Sequence, residues 1–148
     1  MEYRIRDAGA EDLDALQEME EACFSLPWTR EQLCGQLPDE QHEFLVAEAE
    51  NGDMLGYIGM MAVLDEGYIS NVAAAPSARR RGIGRALLKE MLRRAETRRL
   101  AFVTLEVRES NEGAIALYAG EGFSVVGRRR NYYEHPREDA LLMTKFDS

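Results

Sequence analysis

The spacing of apolar residues along the chain changes period several times, and each change marks an element. After a short strand at 2–6, Leu13, Leu16, Met19, Cys23 and Phe24 recur at helical intervals between Ala10 and Phe24, which predicts an amphipathic helix. The segment Ser25-Leu26-Pro27-Trp28-Thr29 interrupts it. Thr29 is placed to cap a second, short helix carrying Leu33 and Leu37, and Pro38 ends that helix. From Glu43 the pattern becomes that of a strand. Phe44 to Glu50 and Met54 to Leu64 flank the hairpin signal Asn51-Gly52, and a further apolar run from Gly67 to Ala75 stops at Pro76. Ile83, Leu87, Leu88, Met91, Leu92 and Ala95 then share one face of a long helix over 83–98. A strand over 102–108, a helix over 111–120, and two strands over 123–133 and 140–146 joined by a polar loop complete the prediction.

A helix between two consecutive strands implies a parallel crossover, whereas the hairpins on either side imply antiparallel pairing. The expected fold is therefore α/β: a mixed, mostly antiparallel sheet with one parallel strand pair, flanked by about four helices. No linker, repeat or low-complexity stretch divides residues 1–148, so a single domain is expected. A chain of 148 residues that is 45% hydrophobic is long enough to hold one core without disulfide or metal support. Cys23 and Cys34 lack the spacing of a zinc site, and His42 and His135 lie in polar segments without ligand spacing. The expectation is two semi-buried thiols in a reducing compartment, surface histidines and no metal. The charged N-terminal stretch has no apolar run, and no segment approaches the roughly twenty apolar residues of a membrane span, so a cytoplasmic protein without membrane contact is expected.

Charge changes this picture. The net charge is −9, which argues against direct nucleic-acid binding, but it is unevenly distributed: −14 over residues 1–66, +7 over 67–108 and −2 over 109–148. A basic middle in an acidic chain points to one locally held polyanion, with the acidic remainder free to attract a cationic partner.

The basic stretch has a definite form. Val72-Ala73-Ala74-Ala75-Pro76 closes a strand, and Arg79-Arg80-Arg81-Gly82-Ile83-Gly84-Arg85 opens the long helix. Backbone N–H groups at a helix start point outward with partial positive charge, glycines let an anion approach the main chain, and arginines add charge and bidentate donors. In composition and placement this is a pyrophosphate cradle. A Walker loop would need Gly-Lys-Ser/Thr, and a dinucleotide fingerprint would need a small residue where Leu87 stands. The plain alternative is an arginine-rich turn that only solvates a loop.

With R-x-x-G-x-G after a strand, followed by LEVRESNEGAIALYAGEGF, the sequence resembles the GNAT family of acetyl-CoA-dependent N-acetyltransferases over about residues 43–146. Leu26-Pro27-Trp28, Leu105-Glu106-Val107-Arg108, Ser110-Asn111, Ala116-Leu117-Tyr118 and Arg129-Arg130-Asn131-Tyr132-Tyr133 are similar to its RimI branch. That branch acetylates the N-terminal alanine of the eighteenth small-subunit ribosomal protein.

The resemblance implies acetyl-CoA as cosubstrate. The main chain of Val72, Ala73 and Ala74 would flank the pantetheine arm. Arg80, Arg81, Gly82, Ile83, Gly84 and Arg85 would hold the pyrophosphate, and Asn111 would hydrogen-bond the cofactor. Arg79 occupies a first loop position that often reads Gln in relatives, which leaves the role of its side chain open.

Glu106 matches the branch's general base and Tyr118 its general acid, in a direct transfer without an acyl-enzyme. An α-amino group with a pKa of roughly 7.7–8.0 is mostly protonated at neutral pH and needs such a base. Read from pattern alone, Glu106 could equally face water or pair with an arginine, and Tyr118 could be a core tyrosine. The Leu26–Trp28 loop and the Tyr132–Tyr133 hairpin form the expected walls of a peptide groove, the alternative for Trp28 being an anchor between two helices. The implied acceptor is the N-terminus of a protein, a basic ribosomal protein in the first instance. A lysine side chain, a small-molecule amine and a non-catalytic acetyl-CoA-binding module are the alternatives. Oligomeric state is not legible in the sequence.

Overall fold

Along the middle strands apolar residues follow one another without alternation. Phe44, Leu45, Val46 and Ala47 are all buried, as are Leu55, Tyr57, Ile58 and Met60. A strand apolar on both sides needs cover on both faces, and the chain supplies it. The computed structural model describes residues 2–75, 78, 82–134 and 136–147. The elements run β1 (Tyr3–Asp7), a 3-10 turn (Ala10–Asp12), α1 (Leu13–Cys23), α2 (Arg30–Gly35), β2 (His42–Ala49), β3 (Met54–Val63), β4 (Glu66–Ala74), α3 (Ile83–Thr97), β5 (Phe102–Arg108), α4 (Glu112–Gly120), β6 (Ser124–Glu134) and β7 (Arg137–Phe146).

Among the described residues the strands form one sheet of seven, in the order β1-β2-β3-β4-β5-β7-β6. Every neighbouring pair is antiparallel except β4–β5, as the crossover through α3 requires. On one face α3 and α4 pack Leu87, Leu88, Met91 and Tyr118 against Ile58, Met60, Val103, Leu105 and Met143. On the other, α1 and α2 bring Leu13, Leu16, Met19 and Leu33 onto Phe44, Val46, Tyr57 and Ala73. Each fully buried leucine contributes on the order of 1.5–3 kcal/mol, so the two clusters hold the sheet from both sides.

Two irregularities shape the centre of the sheet. The β3–β4 register passes from Met60↔Ile69 to Gly59↔Asn71, leaving Ser70 as an extra residue in β4. This bulge reverses the phase of the strand: Ile69 faces α3, whereas Asn71 and Ala73 face α1. In addition, β4 pairs with β5 only at Glu66–Tyr68 against Phe102–Thr104, after which the two strands part.

Where the sequence reading and the fold differ, local chemistry explains the difference. The first helix begins with a 3-10 turn at Ala10 and becomes α-helical at Leu13. The turn is fixed by Asp12, whose carboxylate accepts the Gly9 N–H at 2.8 Å. The predicted polar loop before 140 is instead the start of β7. Glu138 and Asp139 stay in the strand because each accepts a main-chain N–H from a neighbouring segment, from Ser110 at 2.5 Å and from Asn131 at 2.9 Å. His42 is half-buried, its Nδ1 2.8 Å from Asp39 Oδ1, rather than a plain surface residue. His135 lies outside the described residues. Cys23 is half-buried as expected, but Cys34 is exposed.

Asp12 also receives the Arg6 guanidinium in bidentate fashion, at 2.8 and 2.9 Å, which ties β1 to the start of α1. Arg6 holds the Asp12 carboxyl below the usual carboxylate range. Its stabilising contribution is therefore complete above the unfolded pKa and lost as pH falls through the depressed folded value. Asp12→Asn should cost about 1–3 kcal/mol at neutral pH, and the deficit should shrink below about pH 4. Urea unfolding of both proteins between those conditions checks this, and a constant deficit refutes it. Gly56 gives a second test. A Cβ there would stand 2.6 Å from the Ala73 carbonyl oxygen and 3.0 Å from Ile83 Cγ2, so Gly56→Ala should destabilise by about 1–3 kcal/mol, read as a lower urea midpoint.

Candidate active site

The parting of β4 and β5 opens a cleft in the middle of the sheet, and Val72, Ala73 and Ala74 on one strand and Glu106 on the other lie beyond the parting. Val72, Ala73 and Ala74 lie on β4 beyond the last residue paired with β5. Across the sheet's end stands the start of α3. Gly82 is its N-cap in a left-handed conformation (φ 77°), with no side-chain cap and with open space where a Cβ would stand. The first turn of α3 carries no acidic residue, so its N–H groups meet no competing carboxylate of that turn. Ile83 is itself a core side chain and can contribute only through its main chain. At Gly84 a Cβ would stand at an ordinary contact distance, 3.6 Å, from Leu117 of α4. A glycine-headed, uncapped helix start beside an unpaired stretch of strand fits a ligand bearing a diphosphate. Arg85, however, is turned to Glu121 at the end of α4, at 3.1 Å, alongside Lys89, also at 3.1 Å. Arg79, Arg80 and Arg81 lie outside the described residues.

Strand alternation in β5 sends Val103, Leu105 and Val107 into the core and Thr104, Glu106 and Arg108 to the opposite face. There the Glu106 side chain is only 8% exposed and is gripped from three directions. Tyr132 donates its hydroxyl at 2.9 Å and Arg129 its Nε at 3.2 Å, while the Tyr68 hydroxyl also donates to Oε2. The pairing with an arginine that the pattern left open is thus present, together with shielding from water. Burial, followed by the neighbouring Glu106, pushes the hydroxyls of Tyr68 and Tyr132 above the ordinary tyrosine range, so both remain donors at neutral pH.

Tyr118 sits in the α3–α4 core, 8% exposed, its ring centroid 5.9 Å from that of Phe123. Burial, and then Tyr133, push its hydroxyl up to about 12. The ring is thus a packing element, as the core reading has it, and the hydroxyl keeps its proton at neutral pH. Asn111 is exposed and serves as the N-cap of α4, its Oδ1 accepting the Ala114 N–H at 3.1 Å.

The two walls differ from each other. Between Arg129↔Ala140 and Tyr133↔Glu138, strand β6 has three residues, 130–132, opposite one, with Asn131 in the left-handed region (φ 51°). On a flat strand Tyr132 and Tyr133 would point to opposite faces. The bulge brings them together, ring centroids 5.1 Å apart, with the Arg108 guanidinium 4.3 Å from the Tyr133 ring. Burial, then Tyr132 and Glu106, push the Tyr133 hydroxyl up to about 12. On the other wall Leu26 is 62% exposed, but Trp28 is half-buried against the α1–α2 cluster, nearer to the anchor reading than to an exposed aromatic.

Two partners of Glu106, and one further buried acid, Glu20 of α1, were given no role from the sequence. Tyr68 and Arg129 reach Glu106 through the β4–β5 register and the order β5-β7-β6, and neither contact is visible in one strand's pattern. Glu20 did leave a signal, because it falls on the apolar stripe of α1, four residues after Leu16 and three before Cys23.

No group of three or more His, Cys, Asp or Glu is arranged to hold a metal ion among the described residues, and none of their helices is long and apolar enough to cross a membrane. Residues 13–123 match the model of the acetyltransferase (GNAT) family. The chain is 37% identical over 134 residues to the [ribosomal protein bS18]-alanine N-acetyltransferase of Escherichia coli (strain K12), covering 89% of each chain. The protein of that name from Salmonella typhimurium gives the same identity and coverage. The crystal structure of the ribosomal-protein-S18-alanine N-acetyltransferase from Escherichia coli superposes with a TM-score of 0.91 at 35% identity, covering 99% of this chain and 95% of that one. A family match across most of the chain, supported by relatives of this identity and by the shared sheet, settles the affiliation: the chain belongs to the GNAT family of acetyl-CoA-dependent N-acetyltransferases, as a RimI-like member.

Proposed function

We propose that the chain transfers the acetyl group of acetyl-CoA to the N-terminal α-amino group of a protein, and that its acceptor is the N-terminal alanine of ribosomal protein bS18. The observation that carries the reading is Glu106, a shielded carboxylate fixed by two tyrosine hydroxyls where β4 and β5 part. The named activity of the Escherichia coli and Salmonella relatives supports the choice of acceptor. So does the charge of −14 on residues 1–66, which favours encounter with a basic ribosomal protein. A cytoplasmic site of action follows from that acceptor.

Bound acetyl-CoA supplies the activated acetyl group. The main chain of Val72, Ala73 and Ala74 lines its arm, and the Val72 N–H, just past the bulge, serves the developing oxyanion. The N–H groups of Gly82, Ile83 and Gly84, with Arg79, Arg80, Arg81 and Arg85, hold the diphosphate, and Asn111 adds a contact. Glu106 takes the proton of the incoming amine, directly or through a water, while Tyr68 and Tyr132 keep its carboxylate oriented. Tyr118 gives a proton to the departing sulfur. Leu26, Trp28, Tyr132 and Tyr133 wall the acceptor.

Thiol release with a peptide beginning Ala-Arg should exceed, by about tenfold or more in kcat/KM, release with an N-blocked lysine peptide or a polyamine. Preference for either of the latter replaces the proposed acceptor class, and no release with any acceptor favours a binding module. Glu106→Gln should lower kcat/KM by about 10²–10⁴. Tyr118→Phe should lower kcat while calorimetry shows coenzyme A binding within about twofold of the original, the ring packing being kept. Because the Tyr118 hydroxyl is pushed up to about 12, it stays protonated across neutral pH, and the loss on Tyr118→Phe should be the same from about pH 6 to 9. A loss that varies over that range contradicts the assignment.

A further inference from the structure

Glu20 is 1% exposed, yet it lies outside the chemistry described above. Its Oε1 accepts the Trp28 main-chain N–H at 2.8 Å. Its Oε2 accepts the Asn71 Nδ2 at 2.8 Å and the Tyr57 hydroxyl. A buried carboxylate is expensive unless its oxygens are matched by donors, and here donors come from three different segments. One is the loop that carries Leu26, Pro27 and Trp28. One is β3, through Tyr57, whose hydroxyl burial pushes well above the ordinary tyrosine range. The third is Asn71, turned toward α1 by the Ser70 bulge and followed directly by Val72. An apolar side chain would pack α1 on the sheet equally well, so packing alone does not account for an acid at this position. What the carboxylate adds is a fixed distance between the acceptor loop and the strand that lines the cleft.

We infer that Glu20 is a positioning residue for acceptor specificity: it locks the Leu26–Trp28 loop to Asn71 and so sets the width of the groove in which the acceptor's first residue lies. The inference rests on the peptide-acceptor reading for its kinetic consequence, and on the loop's geometry for its structural one.

A carboxamide accepts at one atom and donates at the other, so Glu20→Gln cannot serve Trp28 on one side and the Tyr57–Asn71 pair on the other as the carboxylate does. Trp28 is the single tryptophan of the chain, so its fluorescence reports on this loop alone. With Glu20→Gln, the acrylamide quenching constant of Trp28 should rise by about twofold and the KM for the Ala-Arg peptide by about tenfold. The KM for acetyl-CoA and the thermal midpoint should stay near those of the original. Tyr57→Phe, which removes one donor and keeps the Trp28 bond, should give a smaller change in the same direction. Glu18→Gln, on the exposed side of the same helix, serves as the control.

Unchanged quenching in both variants overturns the inference. So does an equal decline of kcat, both KM values and the thermal midpoint, which is the pattern of a purely structural acid. Should Glu20→Gln fail to fold, Tyr57→Phe decides alone by the same two readouts. If quenching rises in the variants while no peptide is acetylated by any form, the positioning role stands and the proposed acceptor class falls.

Discussion

The β4 and β5 strands are parallel partners for three residues and then separate, and almost everything else at the site depends on that separation. Each strand is kept in the sheet by its other neighbour: β4 pairs with β3 as far as Ala74, and β5 with β7 as far as Arg108. The sheet therefore divides without coming apart. An unpaired backbone edge in the middle of a sheet is a ready set of donors and acceptors for a ligand, at the carboxyl end of β4 and next to the start of a helix. The Ser70 bulge adds the second condition, since without the extra residue Asn71 and Ala73 would face α3 and the acceptor side would lose its contact with Glu20.

The charge distribution reads differently once the fold is known. Part of the basic central stretch is paired with acids elsewhere in the fold. Arg94 meets Asp7 and Glu43, Arg98 meets Glu43, and Arg85 and Lys89 meet Glu121. These contacts fasten α3 to β1, β2 and the end of α4, mostly at partly exposed positions where each pair contributes little by itself. The summed charge of a segment thus overstated what remains for a ligand.

Most of the fold was legible because its signals are local. The Asn51-Gly52 hairpin, the Thr29 cap and the apolar stripe of α3 each announce an element within a few residues. The positions of Glu106 and Tyr118 came from motif resemblance, and the alternation of β5 separates Glu106 from the core-facing Val103, Leu105 and Val107 without saying what it meets. Features that depend on register were not legible. The Ser70 bulge and the three-residue bulge before Tyr133 are set by how the two strands of a hairpin align, and the pairing of Tyr68 with Glu106 by the juxtaposition of strands distant in sequence. For Trp28 the sequence allowed two environments, and the half-buried ring, packed against the α1–α2 cluster, lies nearer to the anchor than to an exposed aromatic.

The bulge in β6 has a consequence beyond the pair of rings it brings together. β6 is the outermost strand on its side, eleven residues long, and a flat ribbon of that length would offer its main chain to any passing extended segment. Here the ribbon is bent at 130–132 and carries Arg128, Arg129 and Arg130 in succession. A second molecule could not lay a strand along its whole length without crossing the kink. The distortion that brings Tyr132 and Tyr133 together thereby also makes this edge a poorer template for a further strand.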